Sequence, residues 1–264
     1  MPLFWVVSFG ISILLNVVLG AIVYFQNYRS LTNRLFTGVI LSILGWEITL
    51  YLFYWLTEPE IVYFLGKLNF AFAEFIAIFI FLFFNFFPNK RSKVPSIIIY
   101  SSILLTIFLA FITLFTPLVA KDEIVSGPLE RVTVFGELYW LFVLQFIGFF
   151  LTGVLMGYKK SRSLIGIEKL QMKYVLTGLV MAITFGTFTN ILLPAIYSDY
   201  DYQSLGVIAT LFMIGFTAYA IVKHRLMDIR LVVARTVSYT LLVLVLGISY
   251  STILFLIGNY LFPT

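Results

Sequence analysis

Long apolar segments without charge dominate this chain and restrict it to one class of fold. Six segments of more than 20 residues contain no charged side chain, and two further segments contain one and two charges. A helix needs about 20 apolar residues to cross the hydrocarbon core of a bilayer. We therefore predict an all-α fold, a polytopic transmembrane bundle of about eight helices. The predicted helices are residues 3–26, 35–57, 61–89, 96–120, 138–158, 174–198, 202–222 and 236–264.

The composition excludes most alternatives to a membrane bundle. Hydrophobic residues make up 61% of the chain and charged residues only 11%, so an aqueous fold would leave much apolar surface exposed. The absence of cysteine excludes disulfides and thiolate metal sites, and the one histidine, His224, cannot form a paired-histidine haem site. The basic residues lie in short clusters between apolar segments, unlike a groove-binding surface. We expect the lipid bilayer as a partner, and no nucleic acid, metal or cofactor.

The distribution of Lys and Arg predicts the orientation of the helices. The odd-numbered connections hold 14 of the 17 basic residues, whereas the even-numbered connections hold only Lys121 and Arg131. Because cytoplasmic connections carry the excess of Lys and Arg, the odd connections are predicted to be cytoplasmic, with the N-terminus outside. Residues 3–26 lack the basic start and cleavage site of a signal peptide, so we interpret them as a retained helix. An even number of helices places the C-terminus outside as well.

Three ionisable residues lie inside predicted helices, namely Glu47 in the second and Lys67 and Glu74 in the third. Charges inside a membrane are costly and usually face the bundle interior in pairs. At about 1.5 Å per residue, all three fall in the outer half of neighbouring helices, so we predict that they face one another or a shared polar cavity. Three interpretations stay open: a structural ion pair, a ligand or proton site, and snorkelling to the interface. We expect the deeper glutamate, Glu74, to be the uncharged one.

A second candidate site lies near the outer end of the sixth predicted helix, in the sequence TNILLPAI. Pro194 removes a helical hydrogen bond and can open a polar pocket beside Asn190. A plain kink is the alternative, and it is the commoner role of proline in membrane helices. Glu137, Tyr139 and Trp140, at the outer start of the fifth helix, could join such a pocket. The alternative for Tyr139 and Trp140 is an interfacial aromatic belt.

The sixth and seventh predicted helices carry a motif that ends in AIVKHRLMDI. A charged stretch with glutamine enters the sixth helix, and an Asn and a Pro close it. This arrangement resembles the N-terminal seven-helix sensory region of bacterial histidine kinases, over roughly residues 3–242. The matching positions are Trp46, Phe83, Pro88, Gln171, Gly178, Asn190, Pro194, Ala220, Ile221, Arg225, Leu226, Asp228 and Ile229.

The resemblance implies a sensor of a two-component system in the bacterial plasma (inner) membrane, which detects a signal in the outer half of the bundle. Residues 1–235 would be the sensory domain with its cytoplasmic output segment, and residues 236–264 an eighth helix, truncated before further domains. The chain itself would not be an enzyme, because it lacks the phosphorylated histidine and glycine-rich boxes of kinase domains. A hydrophobic or small-molecule ligand and a second copy of the chain are candidate partners.

The segment 223–235 is predicted to transmit the signal. It carries four basic residues against one acid, Asp228, and Arg225 and Arg230 flank that acid. Each basic residue near an anionic leaflet contributes about 1 kcal/mol of attraction, so the segment is expected to lie against headgroups and to move with the helices.

Two other functions remain open from the residues alone. A secondary transporter could use Glu47, Lys67 and Glu74 as a proton or ion relay, although no inverted repeat or interrupted helix is evident. A structural or assembly factor without a ligand is the other. Kinase sequences following residue 264 would support the sensor, whereas a natural end there would weaken it.

Overall fold

The computed structural model describes residues 3–88, 92, 94–125, 131–193, 196 and 206–224, together with residues 239, 242, 243, 246, 247 and 250. Seven α-helices, a short π-helical turn and one β-hairpin form within the described ranges. The helices are α1 (Leu3–Gln26), α2 (Leu31–Trp55), α3 (Pro59–Phe86), α4 (Ser96–Phe115), α5 (Tyr139–Ser163), α6 (Gly166–Thr187) and α7 (Gly206–His224). The π-helical turn is Phe188–Leu192, and the hairpin strands are β1 (Ala120–Val125) and β2 (Arg131–Phe135).

The membrane bundle predicted from the apolar segments is confirmed. Helices α1 to α6 are long and apolar enough to cross a bilayer, and α7 contains a shorter apolar stretch. The chain is therefore a multi-pass membrane protein with an all-α bundle. The predicted eighth helix, 236–264, lies almost entirely outside the described residues.

Several helix boundaries differ from the predicted ones, and two of the differences are instructive. Helix α6 begins at Gly166, eight residues before the predicted start, because its first turns are polar and carry Lys169 and Lys173. A hydropathy criterion places such turns in a loop, although a helix can extend beyond the hydrocarbon core. Helix α4 ends at Phe115 rather than residue 120, since β1 begins at Ala120.

Phenylalanine rings packed on glycines join α2 to α3 at the centre of the bundle. Gly38 faces the ring of Phe79, and Gly45 faces the ring of Phe72. A Cβ at either glycine would overlap the facing ring, so only glycine allows this close approach. The two contacts are seven residues apart on each helix, which places them on one face of each.

A lysine fixes the end of α3 that lies away from the hairpin. Lys160, in the last turn of α5, donates hydrogen bonds from Nζ to the carbonyl oxygens of Phe84, Asn85 and Phe87 at 2.8, 2.6 and 3.0 Å. These are among the last carbonyls of α3 and its cap, where a positive charge also complements the helix dipole. The cap therefore holds α5 against α3.

Helices α6 and α7 form a second closely packed unit. Gly178 lies against the backbone of α7 at Met213 and the side chain of Phe216, where a Cβ would be crowded. Near the ends of these helices, Gln171 donates from Nε2 to the carbonyl oxygen of His224 at 2.8 Å. The ring of Tyr174 stacks on His224 at 5.2 Å between centroids. These contacts tie α7 to α6 immediately before the segment 225–235.

The β-hairpin is a feature that the sequence interpretation missed. Its strands are antiparallel, with Glu123 opposite Thr133. Arg131, only 2% exposed, donates to the carbonyl oxygens of Phe53 at 3.4 Å and Leu56 at 2.7 Å, at the end of α2. The hairpin is thereby fixed over the end of the bundle opposite to the Lys160 cap.

Candidate functional site

A cavity of about 130 Å³ lies beneath the hairpin. Helices α2, α3 and α5 line one side of it, and α6, the π-helical turn and α7 line the other. Most of its wall is apolar. The polar residues that line it are Asn69, Glu123, Thr133, Thr187, Asn190 and Thr210. The cavity thus separates the α2–α3–α5 group from the α6–α7 unit.

Asn190 is the predicted site residue that the structure places directly in the cavity wall. It lies in the π-helical turn, a rare geometry that is frequent at functional sites. Its amide nitrogen donates to the carbonyl oxygen of Gly186 at 3.0 Å and to the hydroxyl of Thr189 at 2.9 Å. Pro194, predicted to lie in the same pocket, falls outside the described residues.

Glu123 forms the polar end of the cavity at the hairpin. It is 6% exposed, and the hydroxyl of Thr133 donates to its Oε1 at 2.6 Å. Its carboxylate reaches α3, since a Cβ on Gly66 would lie 3.8 Å from Oε1. Burial raises the pKa of the Glu123 carboxyl to about 7, and the hydrogen bond from Thr133 opposes this rise. The charges of Asp122 and Arg131 have smaller effects: Asp122 raises the pKa and Arg131 lowers it.

Glu47 is fully buried at the junction of three helices. It accepts hydrogen bonds from Ser12 at 2.6 Å and from Thr210 at 2.8 Å, both at Oε1. Asn16 donates from Nδ2 to both carboxylate oxygens at 3.2 Å. These donors lie on α1 and α7, so the carboxylate links α1, α2 and α7. Thr210 also lines the cavity, which brings the Glu47 network to its wall.

Glu74 and Lys67 have other surroundings. Glu74 is fully buried and accepts one hydrogen bond, from Thr113 of α4 at 3.2 Å, while its Oε2 has no partner among the described residues. Lys67 is 7% exposed, and its Nζ lies 4.3 Å from the ring centroid of Tyr63. Within the described ranges Lys67 forms no ion pair.

The described contacts therefore do not bring Glu47, Lys67 and Glu74 together into the predicted cluster. Depth along the helices and the seven-residue spacing of Lys67 and Glu74 do not reveal which faces of α2 and α3 meet. Glu47 follows Gly45 by two residues and Glu74 follows Phe72 by two, which is about 200° around a helix. Since Gly45 and Phe72 face each other, both glutamates point away from the α2–α3 interface.

The residues that the sequence interpretation missed are uncharged or belong to the hairpin. Ser12 and Asn16 are four apart on an apolar helix, which places two hydrogen-bonding groups on one face. That spacing predicts a polar partner in a neighbouring helix. Valine and threonine alternate in the sequence RVTVF, which is typical of a strand, and the preceding Gly127–Pro128 pair indicates a turn.

The predicted output residues Arg225, Asp228 and Arg230 lie outside the described residues. His224, the last residue of α7, directly precedes them.

One family model matches most of the chain. Its description is N-terminal 7TM region of histidine kinase, and it matches residues 8–230, from within α1 to beyond the end of α7. Among curated proteins, none matches the chain.

Proposed function

This chain belongs to the family of N-terminal 7TM regions of histidine kinases, and we propose that the cavity beneath its hairpin receives the signal. The matched region is a membrane sensory region and is not itself catalytic. We further propose that the chain has no enzymatic activity of its own. We extend this proposal to three further points: the protein lies in the plasma membrane of a bacterium, its hairpin lies on the outer side, and it forms a homodimer.

The position of the cavity between two groups of helices carries the proposal. The Lys160 cap and the glycine contacts hold α2, α3 and α5 together, and Gly178 with the His224 contacts holds α6 to α7. A ligand shifts a conformational equilibrium only if it binds one arrangement better than the other. A cavity lined by both groups gives a ligand this preference, because its volume depends on their separation.

The size of the cavity favours a small ligand. At about 130 Å³ it is close to an engineered protein cavity of roughly 150 Å³ that binds benzene or xenon. One ring with a short substituent therefore fits. Movement of α7 would reach residues 225–235 directly, since α7 ends at His224.

Two matched glycine substitutions test the coupling without knowledge of the ligand. A Cβ on Gly186 or on Gly148 would meet no atom within 4 Å, but Gly186 lines the cavity, whereas Gly148 is an exposed residue of α5. Gly186→Leu should fill part of the cavity and displace α6 and α7 from the other helices. Gly148→Leu should leave their spacing unchanged.

The chain has no cysteine, so paired spin labels can be placed without background. Cysteines replacing the exposed residues Arg34 of α2 and Lys173 of α6 report the distance between the two groups in lipid nanodiscs. We expect Gly186→Leu to shift the distance distribution measured by pulsed electron resonance. If both leucine variants give the wild-type distribution, filling the cavity does not move α6 and α7, and the proposal is wrong.

A further inference from the structure

Among the described residues that line the cavity, Glu123 is the only ionisable one. Its Oε1 accepts the Thr133 hydroxyl, and no described residue donates a second hydrogen bond to the side-chain carboxylate. The nearest arginine, Arg131, directs hydrogen bonds to the carbonyl oxygens of Phe53 and Leu56 at the end of α2. The carboxylate is thus a buried acceptor with capacity for a further donor at the cavity wall.

Five of the residues that line the cavity are aromatic. The rings that line it are Trp46, Phe53, Phe70, Phe142 and Phe146. The face of an aromatic ring attracts a cation through its quadrupole, and this attraction is stronger where water is excluded. A buried carboxylate together with several aromatic rings is a combination that suits an organic ammonium group and disfavours an anion.

We propose that the cavity binds a small organic ammonium ion, with the ammonium group on the carboxylate of Glu123 and its apolar body among the aromatic rings. This inference rests on the proposed function, whose cavity it uses, and it assigns the chemical class of the ligand. A neutral apolar ligand would leave the carboxylate without a second donor. An ammonium ion supplies a charge-assisted hydrogen bond there, which is stronger than a hydrogen bond between neutral groups.

Benzylamine and benzyl alcohol are suitable probes because they share one ring and one short substituent, and only the amine is cationic. Titration calorimetry with the chain in nanodiscs at pH 8 should show benzylamine binding roughly tenfold more tightly than benzyl alcohol. Glu123→Gln keeps an acceptor for Thr133 but removes the charge, so the two probes should bind this variant equally. Retained binding of benzyl alcohol shows that the cavity of the variant is intact.

Asp122→Asn is the matched control. It makes the same chemical change one residue away, at an exposed position. Its preference for benzylamine should remain close to that of the wild type. The inference is overturned if Glu123→Gln keeps the tenfold preference, if Asp122→Asn loses it equally, or if the wild type binds neither probe.

The pH dependence gives a second readout. The charged groups that act on Glu123 are Asp122 from β1 and Arg131 from β2, and α3 presents Gly66 to it. Because the pKa of Glu123 is about 7, benzylamine affinity should fall roughly tenfold between pH 8 and pH 6 while benzyl alcohol affinity stays constant. If amine binding depends on Glu123 but Gly186→Leu does not move α6 and α7, the ligand class stands and the signalling role fails.

Discussion

Glu47 and Glu74 are two buried carboxyl groups of one bundle, and they differ in the number of hydrogen bonds that they accept. Glu47 receives three side-chain donors from two helices, whereas Glu74 receives one, and its second oxygen has no partner among the described residues. Both side chains are fully buried. Burial alone therefore does not indicate what a membrane carboxyl group does, because the donors around it decide how many helices depend on it.

The difference indicates separate roles for the two regions. The Glu47 network links α1 and α2 to α7, which belongs to the unit proposed to move. Glu74 links α3 only to α4, a helix whose described surface is largely exposed to the surroundings of the bundle. We infer that the first network contributes to the position of α7 and that the second holds a peripheral helix.

Removing each carboxyl group is the most severe test of this comparison. Glu47→Leu leaves three donors without their acceptor, and at about 0.6 kcal/mol for each membrane hydrogen bond the expected loss of unfolding free energy is roughly 2 kcal/mol. Glu74→Leu removes one hydrogen bond and an unpartnered oxygen, so the expected loss is below about 0.6 kcal/mol. Reversible unfolding in mixed micelles measures both, and equal losses would contradict the distinction.

Removing the donor of Glu74 is expected to have an intermediate effect. Thr113→Val keeps the shape of the side chain but leaves the carboxyl group without any described partner, at a cost of about 1 kcal/mol. Thr37→Val is the control, since the hydroxyl of Thr37 is buried without a described partner and its loss should not destabilise the protein. The same unfolding assay compares them, and a larger loss for Thr37→Val would refute this account.

Removing one donor of Glu47 should have a smaller effect than removing the only donor of Glu74. Ser12→Ala leaves Asn16 and Thr210 bound to the carboxylate, so the expected loss is only about 0.6 kcal/mol. In the Glu47→Leu background the same substitution should cost less, because the hydrogen bond to Glu47 is already absent and only the 2.8 Å contact with the Thr210 hydroxyl remains to be lost. A double-mutant cycle measures this coupling, and additive losses would show that Ser12 acts elsewhere.

Hydropathy predicted the existence of the helices well, because the length of an apolar segment is set by the thickness of the bilayer. It predicted their ends less well. The polar first turns of α6, with Lys169 and Lys173, continue as helix outside the apolar range. The family motif was confirmed by the match over residues 8–230, since it depends on particular residues and not on hydropathy.

The candidate site was harder to predict because it depends on contacts between distant residues. Asn190 was identified from its position in the motif, and the structure places it in the cavity wall. Glu123 gave no comparable signal, since an acidic residue in a connection is usually solvated, and only the pairing of β1 with β2 buries it. The direction of Glu47 required knowing which face of α2 meets α3, which Gly38 and Gly45 could have indicated.

The glycine contacts between α2 and α3 also determine which movements can carry a signal across the membrane. Phe72 and Phe79 fit only where a glycine lies opposite. A slide of seven residues, roughly 10 Å, would bring one ring opposite a glycine again but leave the other facing a leucine. Smaller axial steps would drive a ring into a larger side chain. Sliding of α3 along α2 is therefore blocked over the short distances typical of helix shifts. Under the proposed function, we expect tilt or rotation of α6 and α7 against this fixed pair to carry the signal.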